Sequence, residues 1–215
     1  MRTFQLLIFI ALLLGGVFPG TVAGGESLSF SWAFFLKAND REVRSLEFAD
    51  PEPIAKGDLL RIYIELHQQS YVYLYLFDAR QDLYLVFPPA TSFYEGEFPS
   101  WHKSYIPSGS EWFTLDDYKG TERFYLLAAN RRLPELEKLT ASFVAANDDA
   151  GLKDQLLEKI EDTMKSFSAD LKDEIHPTPV HYGNRLGIAR PELLLNGHAV
   201  STAANYGMIL EMVNK

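Results

Sequence analysis

The feature that most constrains this chain is the run Tyr71-Val72-Tyr73-Leu74-Tyr75-Leu76-Phe77, in which every side chain is apolar or aromatic. A strand turns successive side chains to opposite faces. The run therefore sets Tyr71, Tyr73, Tyr75 and Phe77 on one face and Val72, Leu74 and Leu76 on the other. That is the pattern of a central strand with apolar material against both sides. Its neighbours are also extended. Leu60, Ile62, Ile64 and Leu66 alternate with Arg61, Tyr63 and Glu65, giving a strand with one buried face. Asp78 to Asp82 reads as a turn, Leu83 to Phe87 as the hairpin partner, and Pro88-Pro89 as its stop.

Alternation recurs at both ends of the chain. Phe30, Trp32, Phe34 and Leu36 interleave with Ser29, Ser31 and Ala33, and Tyr206 to Val213 forms a last strand. Two more strands, Glu111 to Leu115 and Arg123 to Ala128, are joined by Asp116-Asp117-Tyr118-Lys119-Gly120, a segment with turn chemistry. Between them and the last strand the period changes. Pro134 sits where a first helical residue would, with Glu135 and Glu137 in the turn whose dipole favours acids. Leu152, Leu156, Ile160, Met164, Phe167 and Leu171 then mark one helical stripe, ended by Pro177 and Pro179. Residues 90–110 and 176–190 show no period and read as a surface excursion and an irregular stretch. The sequence predicts an α+β fold: an antiparallel β-sandwich-like domain over residues 24–215, with two helices inserted before the final strand.

The order and spacing of six segments resemble a bacterial family known only as a domain of unknown function, DUF4384. They are Lys56-Gly57-Asp58 leading into Leu60-Arg61-Ile62-Tyr63-Ile64; Tyr71 to Tyr75; Leu83-Tyr84-Leu85-Val86-Phe87-Pro88; Ile106-Pro107; Trp112-Phe113-Thr114-Leu115; and Gly120-Thr121-Glu122 entering Phe124 to Ala128. The resemblance covers residues 56–132, with the last strand as a further candidate. It implies a β-sandwich-type domain, often exported or fused to signalling and protease modules, and an accessory or recognition role. It carries over no active site. The two-helix segment and Pro89, where a polar residue is common, depart from the family pattern.

Residues 1–23 have the layout of a signal peptide: Met1-Arg2, an apolar run from Phe4 to Phe18, and Thr21-Val22-Ala23 as a small-x-small cleavage site. The run is shorter than the roughly 20 residues that span a bilayer as a helix. The expected product begins at Gly24, is periplasmic or secreted, and has no stable membrane insertion; an uncleaved anchor is the alternative. The formal charge of the chain is −9, and losing Arg2 with the signal makes it more acidic. Such a balance disfavours nucleic acid and anionic membranes as partners; the expected partner is another exported or envelope protein. With no cysteine, the chain has no disulfide, thiol nucleophile, thiolate metal site or lipid-attachment residue.

Catalytic signatures are sparse. There is no Gly-x-Ser-x-Gly elbow, no phosphate-binding loop and no dinucleotide fingerprint. Asp116-Asp117 and Asp148-Asp149 are adjacent pairs suited to turns and caps. His176 and His181, near Asp173 and Glu174, are weak metal candidates in a proline-punctuated loop, while His67, His102 and His198 stand alone. The reading is a non-catalytic module without a cofactor. The alternative is a hydrolase of envelope polymers using a carboxylate pair or a His-based metal site.

Aromatic rings supply the candidate binding residues: Tyr73 and Tyr75 on the central strand, and Tyr94, Trp101 and Tyr105 on the neighbouring excursion. The competing reading makes the strand face core, covered by the helices or a second sheet. The expectation combines the two, with the centre of the face buried and Trp101 and Tyr105 accessible at its rim.

Overall fold

The computed structural model describes residues 27–38, 42–67, 70–96, 103–147, 149–167, 175–182, 193–203 and 205–215. Sheet A is organised by β1 (Leu28–Lys37). It pairs with β4 (Leu59–Leu66) on one side and with β11 (Leu193–Thr202) and the short β2 (Arg44–Ser45) on the other. β10 (Ile175–Tyr182) flanks β11, while β7 (Lys103–Ile106) and β8 (Phe113–Thr114) flank β4. Sheet B runs in the order β3 (Glu52–Ile54), β12 (Tyr206–Asn214), β9 (Gly120–Ala129), β5 (Tyr71–Phe77), β6 (Leu83–Phe87). Its β3–β12 pair is parallel, and the other pairings in both sheets are antiparallel.

Register decides which rings meet. Across sheet B, Val72, Ala128 and Tyr206 form one row, Leu74, Leu126 and Met208 a second, and Leu76, Phe124 and Leu210 a third. These rows face sheet A. Phe30 meets Tyr206 edge-on at 5.4 Å and Phe34 meets Phe124 at 5.0 Å, so the main core lies between the sheets. The alternate rows, Tyr73–Leu127–Gly207 and Tyr75–Tyr125–Ile209, belong to the opposite face.

Two helices cover much of that face. α1 (Pro134–Ala145) has Pro134 at its start and Glu135 and Glu137 in its first turn. α2 (Ala150–Phe167) is capped by the Asp149 carboxylate, which accepts from the Leu152 amide at 2.9 Å. Its stripe of Leu156, Ile160, Met164 and Phe167 is buried; Leu171 lies outside the described residues. A Cβ on Gly207 would stand 3.1 Å from Phe167 and 3.2 Å from Met164, so the glycine lets α2 sit close on β12. The expected α+β sandwich is thus present, with a helical third layer on sheet B.

Three expectations are corrected. The stretch 90–110 contains a 3₁₀ turn, Thr91–Tyr94, and strand β7. The stretch from 176 opens with β10, because Pro177 and Pro179 are tolerated at a sheet edge where no ladder bond is required of them. The polar side of β1 is covered as well, with Ser31, Ala33 and Phe35 all buried. Ala33 and Phe35 belong to a satellite cluster on the outer face of sheet A with Tyr63 and Val180.

Candidate functional site: a cleft between the 3₁₀ turn and α1

Pro88-Pro89 end β6, and the 3₁₀ turn that follows brings Tyr94 against Tyr73, with ring centroids 6.2 Å apart. On the other side Arg132 and Leu133 lead from β9 into α1. Between them lies a cleft of about 610 Å³. Thr91, Ser92, Tyr94 and Glu95 form one wall, and Arg132, Pro134, Glu137, Lys138 and Ala141 form the other.

A polar network underlies the cleft. The Tyr73 hydroxyl donates to Glu137 Oε1 at 2.5 Å and accepts from the Leu133 amide at 3.2 Å. Arg132 Nε donates to both Glu137 oxygens at 3.2 and 3.0 Å, and Nη2 lies 2.9 Å from Oε2. Thr140 Oγ1 donates to the Leu136 carbonyl at 2.8 Å, which leaves the Tyr75 hydroxyl as donor in its 2.9 Å bond to Thr140. Burial pushes the Tyr73 and Tyr75 phenols well above their ordinary range, with Glu137 adding to the effect at Tyr73. Burial also pushes Tyr94 up to about 12. All three phenols therefore stay protonated at neutral pH, and those of Tyr73 and Tyr75 act as donors. Glu137, buried and already accepting from Arg132 and Tyr73, braces the first turn of α1 against sheet B. A carboxylate so occupied is poorly placed to take a proton from a substrate.

The candidate rings do not form one surface. Tyr73 and Tyr75 are fully buried, so their reading as contact residues is corrected: the helices seal the face they occupy. Tyr94 is 9% exposed and offers the cleft only part of its ring. Tyr105, on β7, sits on the other side of the sandwich, half-buried beside Tyr63 at 5.2 Å, with the Arg61 guanidinium 4.6 Å over its ring. The excursion that joins these tyrosines in sequence crosses from one sheet to the other, which separates them in space. Trp101 lies outside the described residues, as do His102, Asp173 and Glu174.

His176 is exposed on β10 opposite Ala199, and His181 pairs with Leu194 through the backbone. Among the described residues no group of three or more His, Asp or Glu is placed to hold a metal. His67 meets Ser31 Oγ at 2.7 Å, and His198 stacks on Trp32 at 4.2 Å. A second cleft, about 420 Å³, lies beside Leu36, Arg44, Ile54 and Asp58. The Asp58 carboxylate there accepts from the Ala55 amide at 2.9 Å, so it closes a turn. Arg132, Glu137 and Thr140 went unread as site residues, because only the docking of α1 on β5 joins them to Tyr73 and Tyr75.

The segments that carry the family resemblance prove to be joined. Gly57 takes a positive φ of 84° that glycine adopts freely, and its amide donates to the Leu115 carbonyl at 2.9 Å. The Leu115 amide returns a bond to the Asp58 carbonyl at 2.8 Å. Lys56-Gly57-Asp58 and Trp112 to Leu115 are therefore two halves of one clip. No helix among the described residues is long and apolar enough to cross a membrane. No curated protein and no solved structure matches the chain. A family match covers residues 54–132, which supply β4, β7 and β8 to sheet A and β5, β6 and β9 to sheet B, whereas β1, β12 and both helices lie outside it. Residues 54–132 thus match the family described as Domain of unknown function (DUF4384).

Proposed function

We propose that this chain is an exported, non-catalytic binding module, periplasmic or secreted, that engages a partner protein or an envelope component through the cleft between the 3₁₀ turn and α1. The observation that carries this reading is the state of Glu137. Its oxygens already accept from Arg132 and Tyr73, so the buried carboxylate of the cleft is occupied, and the walls offer contact area and hydroxyls with Glu95 and Lys138 as charged groups at the surface. The signal-like layout of residues 1–23 supports export.

The test has two arms. A photo-crosslinker at Ser92, on the cleft wall, should trap one exported protein or envelope polymer in the producing cell, and Ala141→Trp, which fills the cleft, should abolish that adduct. The purified chain should release no fragments from envelope polysaccharide or peptide. Turnover that disappears in Glu137→Gln would replace this reading with a hydrolase. N-terminal sequencing should find Gly24 first, and Met1 retained on membrane-bound protein would overturn export as a soluble product.

A further inference from the structure

The polar side chains around the cleft divide into committed and uncommitted groups. Arg132 is committed. Of the five N–H groups of a guanidinium, three are taken by Glu137 and by the Gly96 carbonyl, which accepts at 3.4 Å. The head is thus held half-buried with two N–H groups to give. Thr91, Ser92, Glu95 and Lys138 differ: among the described residues none of their side chains has a hydrogen-bond or ion-pair partner. By contrast Lys56, Lys103, Lys159 and Lys165 each pair with an acid.

The lining narrows what could sit there. Glu95 and Glu137 balance Arg132 and Lys138, so neither sign of charge is favoured within the cleft. A polyanion is also repelled by a chain of formal charge −9. A peptide is read through apolar side-chain pockets or along an unpaired strand edge. The cleft has neither: Pro134 and Ala141 are small, Tyr94 is 9% exposed, and the walls are a 3₁₀ turn and the start of α1. The turn's own Phe93 and Glu95 amides already donate to the Ala90 and Ser92 carbonyls. What remains is a mixture of donors and acceptors beside a small apolar surface. A sugar hydroxyl both donates and accepts, and the CH groups of a sugar ring suit the proline ring and the edge of Tyr94.

We infer that the cleft holds an uncharged saccharide unit of an envelope or extracellular glycan. Ser92 and Lys138 bond its hydroxyls from opposite walls, and Arg132 donates its two remaining N–H groups. The inference rests on the cleft being the binding site, and it narrows the ligand from a protein or envelope component to a neutral glycan. The volume of about 610 Å³ admits a short stretch of such a chain.

The experiment titrates the full chain, as purified from the producing cell, with neutral tetrasaccharides of glucose and of N-acetylglucosamine, followed by calorimetry and amide chemical shifts. At least one should bind saturably, with shifts gathered at residues 91–96 and 132–141. Lys138→Ala and Ser92→Ala should each weaken binding by about threefold or more, and Ala141→Trp should abolish it. Lys165→Ala, an exposed lysine change on α2, should leave it unaltered. Should Ala141→Trp fail to fold, the two alanine variants, both at exposed positions, decide the matter. Saturable binding by neither saccharide, shifts centred elsewhere, or undiminished binding by both folded alanine variants would each overturn the inference. If the saccharides fail while a crosslinker at Ser92 traps a protein, the cleft stays a binding site and the glycan is removed. If both fail, the cleft reading falls as well.

Discussion

The two outer faces of the sandwich carry similar tyrosines and treat them differently. On sheet B, Tyr73 and Tyr75 lie under the helices, and their hydroxyls end on Glu137 and Thr140, both in α1. On sheet A, the Tyr63 hydroxyl donates to Glu65 on its own strand, and Lys103 lies 3.3 Å from that carboxylate. Tyr105 leans on Tyr63 under the Arg61 guanidinium, which donates to the Gly109 carbonyl. That cluster contains no helical residue; Val43, Trp112 and Leu195 pack around it. A phenol sealed by another layer must find its partner in that layer, whereas Tyr63, buried without a helix above it, finds its partner on its own strand. An aromatic strand face is therefore no measure of exposure, and the covering element decides.

The largest expected difference follows directly. Tyr75→Ala should lower stability by about 3–5 kcal/mol, as large aromatic truncations in cores do, while half-buried Tyr105→Ala should cost about 1 kcal/mol. Urea titrations of the two variants would break the comparison if the losses were equal.

The next contrast tests rigidity. A Cβ on Gly197 would stand 2.6 Å from Val180 Cγ2 and 3.1 Å from the Trp32 carbonyl, inside the sheet A ladder. On Gly207 its nearest contacts would be side-chain atoms of Phe167 and Met164, at 3.1 to 3.3 Å. Gly197→Ala should cost about 1–3 kcal/mol by overpacking, and Gly207→Ala less, because the methionine can move. Thermal unfolding would show it, and a reversed order would mean that the helical layer yields less than the sheet.

Hydroxyl removal sharpens the polar side of the comparison. Tyr73→Phe takes a donor from buried Glu137 and should cost about 1–3 kcal/mol. Tyr63→Phe should cost less, since half-buried Glu65 keeps its ion pair with Lys103.

The smallest effect is a difference in pH response. Burial holds half-buried His198 below its ordinary range, with Glu47 and the Leu46 backbone opposing. Folding thus favours its neutral form. The contribution is complete above about pH 6.5 and is lost as pH falls from there through the lowered folded value. The Tyr73 and Tyr75 phenols are shifted upward, so their contribution is complete below about pH 10 and is lost on further rise. His198→Phe should flatten the loss of stability between about pH 7 and 5 and leave the alkaline limb unchanged; an unaltered acid limb would remove His198 as its source.

Much of the fold was legible because it rests on local pattern. The alternation of β1, β4, β5 and β12 and the stripe of α2 follow from side-chain period alone. β11 escaped that reading because Asn196, Gly197 and His198 interrupt its apolar run, and Gly197 serves the close approach of Val180. β7 escaped it because four residues are too few to show a period. The candidate rim was the least legible part: Tyr94 and Tyr105 are close in sequence and lie on opposite sides of the molecule.

By itself, the sequence determined that Tyr71–Phe77 needs apolar cover on both faces, that two helices precede the last strand, and that the Lys56-Gly57-Asp58 stretch fits one family. These are statements about neighbouring residues, and backbone geometry enforces them locally. The tertiary structure alone decided what covers each face, and so which tyrosines are core, and that Glu137 is locked by Arg132 and Tyr73. Each of these depends on contacts between segments tens of residues apart, such as the 64 that separate Tyr73 from Glu137, and no local period encodes them.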